Sequence, residues 1–157
     1  MGDATTFTTP SDTEIAITRV FAAPRRLVFA AWTRPEHLPH WMGPGDWTMT
    51  GCEIDLRPGG TFRFSWRHTG GDEMTITGVY REIVPPERLV TTERMGEGWP
   101  ETTNTLVLTE EGGRTTTVHT IRYPSRGARD AALRTPMREG MSAGHDRLEE
   151  YLHGLEA

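Results

Sequence analysis

Lysine is missing from this sequence: all 17 basic residues are arginine. Without a lysine amine there is no Schiff base, no pyridoxal-phosphate anchor and no P-loop lysine, so three large classes of chemistry are excluded. Glutamine is absent as well, and the abundance of Ala, Gly, Pro and Arg suggests a GC-rich, bacterial genome. The lone cysteine, Cys52, cannot form an internal disulfide, in keeping with a reducing compartment. No window approaches the roughly 18 apolar residues that a membrane helix needs, so membrane insertion is not expected. Acidic residues outnumber arginines, 22 to 17. A net charge of −5 disfavours nucleic acid as a partner, since phosphate backbones call for a basic face. The first dozen residues, MGDATTFTTPSD, are polar and lead into no apolar h-region, so no secretory signal is read and a cytoplasmic location is expected. Residues 1–13 read as a flexible tail and 14–157 as a single domain, large enough to bury a core without metal or disulfide.

What is present alternates between two periods. The stretch EIAITRVFAA (14 to 23) reads as a strand, and PRRLVFAAWT places Leu27, Val28, Ala31 and Trp32 at helical spacing behind a proline suited to the first helical position. A second short helix is expected from Pro35 to Trp41. From Trp47 to Tyr123 the period is two, with turn signals at PGG, TGGD, PPER, MGEGWP and EEGG, which gives six strands in hairpin succession. In TFRFSWR the rings of Phe62, Phe64 and Trp66 fall on one face, with Arg63 and Arg67 on the other. In TTTVHTIRY, Thr117, His119, Ile121 and Tyr123 share a face opposite Val118, Thr120 and Arg122, and the pattern does not decide which face is inward. The remainder is helical, with a stripe of Leu133, Met137, Met141, Leu148, Leu152 and Leu155, and a break expected at Pro136 with Thr135 capping the helix beyond it.

One strand, two short helices, six antiparallel strands and a long C-terminal helix make an α+β fold: a curved sheet of about seven strands wrapped around that helix. A long helix across a strongly curved sheet does not fill the concavity, so a pocket between them is expected.

The runs FAAPRRLVFAAWTRPEHLPHWMGP, CEIDLRPGGTFRF, GVYREIVPPERLV and the ending RDAAL…EG…DRLEEYL resemble, in order and spacing, the bacterial relatives of the Hsp90 ATPase activator C-terminal domain, within the START-like (SRPBCC) superfamily. The resemblance implies the helix-grip (Bet v 1-like) fold and an internal cavity suited to small, largely apolar molecules. Many relatives carry Trp-Trp where this chain has Trp41-Met42, and an aromatic where it has Met141, so no ligand is carried over.

The candidate ligand-binding residues are Trp41, Phe62, Phe64, Trp66, His119, Met137 and Met141. The leading function is binding of a small hydrophobic or aromatic molecule. The alternatives are an enzyme of cyclase, dehydratase or hydrolase type, with His119 and Glu93 as its titratable pair and Asn104 within reach, and a chaperone activator, disfavoured for want of a second domain. No catalytic residue is assigned, because nucleophile-elbow, HExxH, Cys-x-x-Cys and Rossmann signatures are missing. No cofactor and no metal are expected: His37 and His40 have Pro39 between them and no third ligand, and read as pocket rim. Trp32, Trp41 and Trp47 are expected to converge where helices meet sheet. Glu149-Glu150 reads as a wet helix face, and a homodimer is a candidate assembly.

Overall fold

The alternation after Trp47 becomes a continuous antiparallel sheet. The computed structural model describes residues 4–43, 45–96 and 98–156. Strands β1 (Thr6–Thr8) and β2 (Glu14–Phe21) come first, followed by helix α1 (Arg25–Thr33) and a single 3-10 turn at Leu38–His40. Six strands follow as expected: β3 (Trp47–Ile54), β4 (Thr61–His68), β5 (Glu73–Val84), β6 (Arg88–Arg94), β7 (Thr102–Glu111) and β8 (Arg114–Arg122). The order across the sheet is β1-β2-β8-β7-β6-β5-β4-β3, and each neighbouring pair is antiparallel. The sheet has eight strands rather than about seven, because part of the expected tail pairs with β2, with Phe7 opposite Ile17. Three residues were too few to show a period.

The two helices expected after the first strand are one helix and a turn. Proline lacks an amide donor and pushes the preceding residue out of helical conformation, so Pro35 and Pro39 together leave no room for more than the turn that buries Leu38. Between β7 and β8, Gly112 and Gly113 both have positive φ (60° and 77°), the backbone a two-residue hairpin turn requires.

The C-terminal segment divides at Pro136, as expected. Helix α2 (Arg126–Leu133) is capped by Ser125, whose hydroxyl accepts from the Ala128 amide, and α3 (Met137–Glu156) lies on the other side. Thr135 is not the cap of α3: its hydroxyl donates back to the Ala132 carbonyl at 2.6 Å. Along α3, Leu148 and Leu152 are wholly buried in the main core with Trp41, Phe62, Phe64 and Trp66, while Met137 and Met141 pack on a second cluster of Ile15, Ile17, Ile121 and Tyr123. Leu155 falls outside the stripe and is exposed. Glu149 is not on a wet face. It is 5% exposed, where both carboxylate oxygens accept from the Ala22 amide and one pairs with His153. Tying the turn between β2 and α1 to α3 gives a buried acid a partner, which the sequence pattern does not reveal.

Candidate ligand cavity

Because neighbouring strands are antiparallel, with register shifts at Met49/Gly51 and Tyr80/Glu82, inward residues form rows across the sheet. One row runs Ile17, His119, Leu106, Leu89, Ile83; the next Ile15, Ile121, Asn104, Thr91, Tyr80; a third Thr102, Glu93, Gly78, Phe62, Ile54. The face of β8 bearing Thr117, His119 and Ile121 is therefore the inward one, which decides the alternative that parity left open. Gly78 makes the third row possible. A Cβ there would stand 2.2 Å from the Phe62 ring and 2.6 Å from the Thr92 carbonyl oxygen, so the ring lies flat where a side chain would be.

Between these rows and α3 lies a cavity of about 520 Å³. All seven residues singled out in the sequence line it: Trp41, Phe62, Phe64, Trp66, His119, Met137 and Met141. The wall at the α1 end is rigid. The Trp41 indole donates to the Ala31 carbonyl at 3.0 Å and meets Trp32 edge-on, with centroids 4.7 Å apart. Arg147 donates to the carbonyls of Trp41 and Gly43, and Gly144 lets α3 settle onto that carbonyl: a Cβ there would be 3.2 Å from the Trp41 oxygen. Trp32 lines the cavity as well, whereas Trp47 joins the core but packs on His68 and does not reach it. His37 and His40 are not its rim either. His37 bonds the Tyr151 hydroxyl at 2.6 Å and His40 stacks on the same ring, tying the 3-10 turn to the outer side of α3.

The polar groups in the cavity form a short chain. Asn104 donates through Nδ2 to Thr102, which turns its Oδ1 to His119 Nε2 at 2.8 Å. The shared proton then sits on Nε2, and the imidazole is neutral, since burial holds its pKa down at about 4. The other nitrogen, Nδ1, is buried with no partner among the described residues. Glu93 shows the opposite effect: burial pushes its carboxyl up to about 7, partly offset by the hydrogen bond it accepts from Thr91 at 3.0 Å. Tyr123 is raised to about 12 by burial and by the Glu93 charge, and Tyr80 is raised by burial and then by Cys52 and Glu93.

Sequence reasoning missed His145. It is 3% exposed, bonds Thr5 through Nδ1 at 2.9 Å, and faces Phe21, Trp32 and Trp41. Burial, and then the charges of His119 and Arg19, press its pKa down to about 3. The signal was available: His145 is four residues after Met141 and three before Leu148, on the stripe already drawn. Tyr80, Met95 and Trp99 also line the cavity, the last two exposed at its mouth.

Over residues 22–153 the sequence matches the family described as activator of Hsp90 ATPase homolog 1-like protein. The chain belongs to this family. Among solved structures it is similar to a Rhodobacter sphaeroides protein, with 31% identity and a TM-score of 0.93, covering 97% of this chain and 99% of that one. A Nitrosomonas europaea protein is similar at 25% identity and TM-score 0.85, with 94% and 99% covered. A Mycobacterium smegmatis protein, at 23% identity and TM-score 0.86, shares the fold, with 96% and 97% covered. No protein of curated function matches. The family's helix-grip fold is the one described above, with β1 and β3 as the edges of the sheet and α3 in its grip. No described helix is long and apolar enough to cross a membrane.

Proposed function

We propose that this protein binds a small, largely apolar molecule in the cavity between sheet and α3. The observation that carries the reading is the combination of a space of about 520 Å³ with an aromatic and thioether lining and a few convergent polar groups. Sites for small ligands have this size and make-up. Rigid rings supply shape at the α1 end, while Met74, Met137 and Met141 supply a wall that adapts. Mass spectrometry of the natively purified protein, before and after denaturation, tests for a resident ligand, and a thermal-shift screen with apolar molecules tests the free cavity. An empty protein that no member of a broad panel stabilises would defeat the reading.

A second reading is favoured by one observation: Glu93, with a proton affinity near neutrality, and the neutral His119 line the same cavity. Such a pair suits proton transfer on a bound aromatic or polyketide-like substrate. Turnover that survives replacement of both residues would exclude it. Activation of an Hsp90-type ATPase rests on the family's name alone. Met95 and Trp99 offer an exposed apolar face to a second copy of the chain, which concentration-dependent sedimentation would detect.

A further inference from the structure

Glu93 is the single acid among the described residues lining the cavity, and no arginine lines it. Among the described residues its hydrogen bond comes from Thr91 to Oε2, and Oε1 has no partner among them. Among the described residues nothing else lining this cavity answers its charge, although Glu93 also borders a second pocket lined by Arg63 and Arg94. His119 and His145 are held neutral by burial, and the Arg19 guanidinium, outside the lining, is engaged with Asp146 at 2.8 Å. Beside Glu93 the row continues to Gly78, whose missing side chain leaves the carboxyl flanked by the Phe62 ring, with Tyr80 in the adjacent row. Tyr80 and Tyr123 lie near enough to feel its charge, and Trp99 stands at the mouth.

A half-buried carboxylate with no counter-ion is costly, and a ligand that pairs with it removes that cost. An acidic ligand would set two like charges together, and a neutral one would leave the charge unanswered. A protonated amine would pair with the carboxylate and lie among aromatic faces that attract cations.

Resting on the reading that the cavity binds small apolar molecules, we propose that its ligand carries a basic nitrogen seated against Glu93, with an apolar ring body filling the space beneath α3.

Calorimetry on the full chain at pH 8 with 2-naphthylmethylamine, 2-naphthalenemethanol and 2-naphthoate tests this, since the three share one body. The amine is expected to bind about tenfold or more tighter than the alcohol, with the carboxylate weakest. Glu93→Gln should abolish the amine's advantage and leave alcohol affinity within about threefold, and Glu93→Asp, which keeps the charge, should retain part of it. Equal binding of amine and alcohol, or an advantage that survives in Glu93→Gln, overturns the proposal while leaving the cavity reading in place. Binding of none of the three overturns both.

Discussion

The imidazole Nε2 of His119 lies 2.8 Å from Oδ1 of Asn104, while its Nδ1 has no partner among the described residues. One half of the ring is thus anchored to β7 and the other is a buried acceptor. Asn104→Ala removes the acceptor that the described residues offer a buried N–H and should destabilise the fold by about 1–3 kcal/mol. Urea denaturation checks this, and an unchanged midpoint would mean that the Asn104 contact contributes nothing.

The buried histidines and Glu93 act on stability in opposite directions. His119 and His145 take up protons near pH 6.5 when unfolded but only near 4 and 3 when folded, so stability present above pH 6.5 is lost as pH falls toward 4. Glu93 holds its proton up to about pH 7 when folded, against 4.5 when unfolded, so its contribution is present below pH 4.5 and lost as pH rises through 7. Two histidines outweigh one carboxyl in the shared window, so melting temperature should fall on acidification below about pH 6.5. A flat profile from pH 7 to 4.5 would contradict these burials.

Glu93→Gln removes a half-buried charge at alkaline pH. It should raise stability at pH 8 by on the order of 2 kcal/mol and change it little at pH 4.5, where the carboxyl is already neutral in the folded protein. A variant less stable than the parent at pH 8 would show that Glu93 has a stabilising partner after all.

Gly78→Ala forces a methyl group into the Phe62 ring and the Thr92 carbonyl, and the latter is backbone that cannot swing aside. A loss of about 2 kcal/mol or more is expected from overpacking, with Phe62 driven toward the cavity. Thermal denaturation that leaves this variant level with the parent would show that the sheet yields at this point.

Much of this was legible because period and chemistry agreed. Phe62, Phe64 and Trp66 alternate strictly, and Met137 and Met141 keep helical step, so their convergence followed from the fold alone. What escaped depended on distant partners. His119 could not be oriented until β2 and β7 were known to flank β8. Glu149 looked like any acid on a helix until its carboxylate was seen to accept from the Ala22 amide. His37 and His40 looked like a rim because their real partner, Tyr151, lies more than a hundred residues further on.

Tyr151→Phe forfeits one hydrogen bond to His37 on the outer side of α3, so it should cost less than about 1.5 kcal/mol and leave ligand affinity in the cavity unchanged. A large drop in affinity would return these histidines to the binding site.

The most direct test of the cavity as a binding site is calorimetric titration of 2-naphthalenemethanol into the parent and into Met141→Trp, whose larger side chain fills part of the space under α3. The account predicts saturable one-site binding to the parent and none to a variant that still melts cooperatively. Equal binding to both proteins would place the ligand elsewhere and contradict it.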